Sequence, residues 1–179
     1  MAAFALFVIG PQAKATVITF DDLVGSGSLA SYAGLTWTNT SYYDTVQSPY
    51  TPHSGTQRVY NTDRVSPIVF QFGGDVYFDG AWFSGFNPDV SFELYNNGSL
   101  VSTSGSVSTS DTPAFLASGY GGLVDEVRVI ASDYLQNGFH DYYTMDDVTY
   151  HAVPEPAFYQ LGALLALGGL GALRLRKRA

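Results

Sequence analysis

The chain has 179 residues, 46% hydrophobic and 15% aromatic, which is enough apolar material for one folded core and the wrong composition for a disordered chain. The formal net charge of −8 is unevenly spread, because Arg174, Arg176, Lys177 and Arg178 crowd the C-terminus, while between Thr16 and Val153 three arginines face fifteen carboxylates, a net of −12. That balance excludes a nucleic-acid surface and favours divalent cations, and the lack of cysteine excludes disulfides, thiolate metal sites and a cysteine nucleophile.

Residues 1–15, MAAFALFVIGPQAKA, begin with an apolar run from Ala2 to Gly10 that Pro11 breaks. Ala13-Lys14-Ala15 then supplies the small-x-small pattern that precedes signal-peptide cleavage, and the run is too short to span a bilayer. No Lys or Arg stands before the run, so the true start is expected upstream of Met1. A buried first strand is the competing reading.

Residues 16–152 read as one domain of short strands separated by turn residues. Strands are expected at 16–20, 35–39, 68–72, 76–78, 81–86, 90–95, 99–107, 123–130 and 144–150, several with the two-residue period of a half-buried strand. Asn96-Asn97-Gly98 and Gly73-Gly74-Asp75 are read as turns, and 25–33 as a Gly/Ser-rich loop. The Ser/Thr-rich stretch 99–110 reads as an edge strand pair or a flexible loop, with O-linked sugars as a remoter option. The expected fold is all-β, a β-sandwich of the jelly-roll kind, with a C-terminal transmembrane helix after it.

The polar, Tyr-rich stretch from Thr40 to Tyr60 is the candidate ligand surface, with Tyr42, Tyr43, Tyr50 and Arg58 as its leading residues and Asn39, Asp44, Gln47 and His53 beside them. Trp37 and Trp82 are expected in the core, where large aromatics on strands usually lie. No HExxH, GxSxG or phosphate-binding loop is present. Asp125, Glu126 and Glu93 offer carboxylates for glycoside hydrolysis, but adjacent Asp125 and Glu126 point to opposite faces of a strand, so no enzyme is expected.

Two acidic pairs close the domain, Asp21-Asp22 after the first strand and Asp146-Asp147 in the last. If the terminal strands lie side by side, up to four carboxylates converge, and like charges at close range call for a cation. Calcium suits such oxygen ligands. Strand alternation makes Asp22 and Asp147 the first choice, and solvated strand ends are the alternative. Phe20-Asp21-Asp22, Tyr32-Ala33-Gly34-Leu35-Thr36-Trp37 and Met145-Asp146-Asp147-Val148 resemble the calcium-containing jelly rolls of galactose-binding-like and carbohydrate-binding modules. That resemblance implies a structural calcium joining the terminal strands, carried over to Asp21, Asp22, Asp146 and Asp147.

Residues 153–179 end the chain. Pro156 to Leu173 carry no charge and the basic cluster follows, the order of a spanning helix with its tail on the cytoplasmic side. A buried core helix is the competing reading. Pro154-Glu155-Pro156, the apolar segment and the stop-transfer residues Arg174, Arg176, Lys177 and Arg178 together resemble the PEP-CTERM sorting signal of Gram-negative bacteria. The resemblance implies recognition by an exosortase, transient anchoring in the inner membrane, removal of the tail, and a final place at the cell surface or in a biofilm matrix rich in extracellular polysaccharide.

Overall fold

A computed structural model describes residues 14–63, 66–86, 88–132 and 142–153. The signal-peptide segment up to residue 13, the sorting motif Pro154–Pro156, the expected transmembrane helix and the basic tail lie outside the described residues. Every regular element described is a strand: β1 (Ala15–Ile18), β2 (Gly27–Tyr32), β3 (Leu35–Tyr43), β4 (Arg58–Asn61), β5 (Ile68–Gly85), β6 (Asp89–Asn96), β7 (Ser99–Ser108), β8 (Ala114–Ala117), β9 (Val124–Ala131) and β10 (Tyr143–Ala152). The all-β class is as the periodicity predicts.

The strands run in the order β1-β10-β4-β3-β5-β9-β6-β7, with β2 beside β3 and β8 beside β5. β5 makes this path double back. Its first part, Ile68–Gln71, pairs with β3 and β9, while Val76–Gly85 pairs with β10 and, around Gly80–Phe83, with β8. Inward rings of the two parts then meet: Phe78 lies 5.8 Å from Phe70 and 5.0 Å from Phe92 of β6, and Phe83 lies 5.6 Å from Phe92. Burying each such ring contributes about 2–3 kcal/mol.

The sequence predicts a turn at Gly73-Gly74-Asp75, and the structure replaces it with continuous strand. Phe70, Phe72, Val76 and Phe78 all point inward, so the two-residue phase passes through the glycines unbroken. The phase flips further on, at Gly80, whose φ is +151°. Beyond it Ala81 and Phe83 face the core and Trp82 faces out. The expectation of a core Trp82 is therefore corrected, whereas Trp37 is buried as expected.

The loop expected at 25–33 is also corrected. Gly27–Tyr32 forms β2, because backbone pairing to β3 needs no large side chains and Leu29 supplies one inward anchor. Ala33 and Gly34, both at positive φ, make the tight turn to β3. Asn97-Gly98 makes the expected turn between β6 and β7 with the same geometry. The Ser/Thr-rich stretch is the outer strand β7.

Candidate binding site

A cleft of about 550 Å³ opens where the end of β3, the segment 44–57, β4 and the start of β10 meet. Tyr43, Tyr50, Tyr60, Tyr142 and Tyr143 form much of its wall. Ser26, Thr45, Gln47 and Thr144 place hydroxyl and amide groups between the rings. The rings stand edge to face in a chain: Tyr43 to Tyr60 at 5.3 Å and 88°, Tyr60 to Tyr142 at 6.5 Å and 70°, Tyr142 to Tyr50 at 6.3 Å and 90°. Such contacts fix ring orientation and leave neighbouring faces turned different ways.

The segment 44–57 is pinned by buried hydroxyls. Ser84 donates to the Thr51 carbonyl at 2.6 Å, and its oxygen is 2.7 Å from the Thr144 hydroxyl. Arg58 is fully buried behind this segment. Its guanidinium carbon lies 3.9 Å from the centre of the Tyr43 ring, and its terminal nitrogens donate to the carbonyls of Thr56 and Thr45.

The Tyr-rich stretch thus divides. Tyr43, Gln47, Tyr50 and Tyr60 line the cleft. Tyr42 packs against the core and over Gly27, where an added Cβ would stand 2.9 Å from its hydroxyl. Tyr142 and Thr144 belong to the wall through the pairing of β10 with β4 and β5, and Ser26 through that of β2 with β3, relationships no local pattern announces.

The four candidate metal ligands divide as well. β1 and β10 do pair, with Ile18 opposite Val148 and Thr16 opposite Tyr150. One edge of β10 meets β4 at Thr144 and Met145 and β1 from Val148 onward. Between them stand Asp146 and Asp147, and the segment 53–56 fills the gap. One oxygen of Asp146 accepts the backbone N–H groups of His53 and Ser54 at 2.8 and 2.9 Å, and the other accepts the N–H of Asp147. Asp147 meets His53 Nδ1 at 2.5 Å and accepts the Ser54 hydroxyl at 2.8 Å.

Strand alternation assigns the two aspartates to opposite faces, and the structure corrects this. A bulge with Asp147 at φ +47° turns both inward to one loop. From the other pair it is Asp21 that approaches, accepting from Thr56 N–H at 3.3 Å and from the Ser54 hydroxyl at 3.4 Å. Asp22 instead accepts the Tyr32 hydroxyl and takes no part. Every oxygen of Asp146 and Asp147 already meets a protein group, and among the described residues no three His, Cys, Asp or Glu side chains are arranged to hold a metal ion. Burial, reinforced by the charge of Asp147, pushes the Asp146 carboxyl up to about 7 despite the N–H groups that favour its anion.

Gly55 lets the loop close over Asp21. Its φ is +47°, and an added Cβ would fall 1.8 Å from an Asp21 oxygen. His53 also stacks on the outward face of Trp82, 3.6 Å between centres at 10°. Ser54 binds the carboxylate of Asp147 and not the histidine, so the three do not form a nucleophile–base relay.

The carboxylates considered for hydrolysis stay apart from the cleft. Glu93 accepts the Tyr95 hydroxyl, Asp125 accepts the Asn97 N–H, and Glu126 accepts from Arg128 and Gln71. Burial works to raise the Glu126 pKa, but the Gln71 and Arg128 hydrogen bonds outweigh it and hold the carboxyl below its ordinary range.

No protein-family profile and no curated protein matches the chain. Solved structures give loose likenesses. A variant of CBM29-2, a family 29 carbohydrate binding module, is 11% identical over 78% of this chain and 92% of its own, with a TM-score of 0.46. TmCBM61 in complex with β-1,4-galactotriose is 12% identical over 69% and 92%, at 0.40. A DUF4465 family protein from Bacteroides ovatus is 9% identical over 79% and 95%, at 0.43. Likeness at this level assigns no ligand to this chain.

Proposed function

We propose that this chain is an exported, non-catalytic surface protein whose jelly-roll sandwich binds extracellular polysaccharide through the tyrosine cleft. The cleft carries this reading. Its volume, about 550 Å³, lies in the range of small-ligand sites, which run from roughly 300 to 1,000 Å³. Tyrosine suits a sugar because the ring covers C–H faces while the hydroxyl meets sugar hydroxyls. The polar groups between the rings are hydroxyls and an amide, which both donate to and accept from sugar hydroxyls. Glu93, Asp125 and Glu126 all lie outside the cleft wall, each engaged in hydrogen bonds there, which supports a binding role for the cleft.

Affinity electrophoresis of the full chain through gels holding neutral and acidic polysaccharides tests the reading. Saturable retardation by at least one polymer, weakened when Tyr60 is replaced by Ala, is the expected result. Uniform mobility in every gel would leave a purely structural matrix protein.

Export and sorting rest on the terminal sequences alone. An exosortase that reads Pro154-Glu155-Pro156 and removes the tail would release the domain from the inner membrane to the surface or matrix. Replacing Glu155, or deleting Arg174–Arg178, is expected to trap the unprocessed chain in the membrane fraction. Unchanged C-terminal processing and surface delivery would refute this route.

A further inference from the structure

The cleft has a hidden charge behind its wall. Arg58 is 0% exposed, and among the described residues no carboxylate lies within ion-pair distance of it. Its terminal nitrogens are answered by two carbonyls, which carry no net charge, and its Nε has no hydrogen-bond partner. A guanidinium keeps its proton even when buried, so the charge persists. Burying an ion without a counter-ion is costly, and its field reaches far through a poorly polarisable surround.

That field emerges at the cleft. Tyr43 and Thr45, which touch the guanidinium through ring face and carbonyl, are both wall residues. Burial holds the Tyr43 hydroxyl above its ordinary pKa although Arg58 pulls the other way, so Tyr43 stays neutral and does not cancel the charge. None of the described wall residues is ionised. The nearest carboxylate in sequence, Asp44, is exposed to water and accepts the Gly25 N–H, outside the wall. The rest of the domain is strongly acidic, so an anion meets repulsion over the surface and relief at this cleft.

We propose that the cleft selects carboxylate-bearing saccharides, of the uronic-acid class, with Arg58 supplying the selecting charge from behind Tyr43. This rests on the saccharide-binding reading and deepens it. The arrangement gives charge selectivity without an exposed cation, so neutral polar groups still contact the sugar hydroxyls.

The test pairs each acidic polymer with its own neutral ester. The full chain is titrated with polygalacturonate, alginate and hyaluronate, and with the carboxyl-esterified form of each, at low and at about 0.5 M salt. At least one acid is expected to bind about tenfold or more tightly than its ester, with the difference shrinking in salt. Arg58→Met, which keeps the stem and removes the charge, is expected to abolish the difference; Arg58→Lys should retain part of it if the Met variant fails to fold. Equal binding of acids and esters would overturn the charge selection and leave saccharide binding standing. Binding of neutral polymers alone would do the same. Binding of no polymer would overturn both.

Discussion

His53 meets Asp147 through Nδ1 at 2.5 Å, joining positions 94 residues apart and fixing the loop 53–56 to the bulge of β10. Ser54 adds its hydroxyl to the same carboxylate at 2.8 Å. Asp147→Ala removes the acceptor for both and leaves them beside a half-closed gap. The expected loss is about 1–3 kcal/mol in urea denaturation. Hydrogen exchange at the His53 and Ser54 amides, which bind Asp146, should speed up as well. Unaltered exchange would show that the loop is held by other means.

Asp146 sets a pH dependence. Its carboxyl is raised to about 7 in the folded protein from an ordinary 3.8, so the folded state holds this proton more tightly than the unfolded state. The stabilisation is fully present while the group is protonated in both states, below the unfolded value. It falls as pH rises from about 4 to about 7, and levels off above. The loss across that window is at most about 4 kcal/mol, since the two values lie about three units apart and each unit is worth about 1.4 kcal/mol. Other groups titrate over the same range, so the comparison is with Asp146→Asn, whose stability should fall less between about pH 4 and 7. Parallel curves for the two proteins would refute the assignment.

The sequence shows the fold class because alternation is a local signal. Val90, Phe92 and Leu94, or Val127 and Val129, declare their inward faces without help, and Asn97-Gly98 declares its turn. The strand through Gly73-Gly74 is legible in principle, since the inward phase of Phe70 and Phe72 continues at Val76 and Phe78. Composition argues for a turn there and phase argues for a strand; phase prevails. β2, β4 and β8 escape because they are short or poor in large side chains, and pairing partners make them strands. The site is harder still. The bulge that unites Asp146 with Asp147, and the phase change at Gly80 that turns Trp82 outward, are properties of paired strands. The aromatic richness of residues 40–60 points to the right region, while the division between cleft-lining Tyr43 and core-packed Tyr42 depends on which face of β3 each occupies.

The acidic pairs predict calcium, and hydrogen bonds to the loop satisfy the carboxylates that would bind it. Addition of about 1 mM calcium, or of EDTA, is therefore expected to move the melting temperature by less than about 1 °C. A native-state site of about 10 μM affinity would instead add about 2.7 kcal/mol at that concentration. For a domain of this size that is a rise of several degrees, about 2–8 °C per kcal/mol across small domains. A rise of that kind would mean that Asp21, Asp146 and Asp147 exchange their loop contacts for the ion.

Two nearby tyrosines separate affinity from stability in the cleft. Tyr50 stands on the segment 44–57 and meets Tyr142 edge to face across the cleft. Tyr42 lies on β3, outside the wall, packed against the core and against Gly27. Tyr50→Ala is expected to weaken saccharide binding by about tenfold, the equivalent of about 1.4 kcal/mol, with a smaller change in melting temperature. Tyr42→Ala is expected to do the reverse, costing about 3 kcal/mol of stability while the folded fraction binds as before. Calorimetric titration beside thermal unfolding distinguishes the two effects. Equal losses of affinity from both variants would mean that the ligand follows the outer surface of β2 and β3, because Tyr42 has no access to the cleft from its place against Gly27.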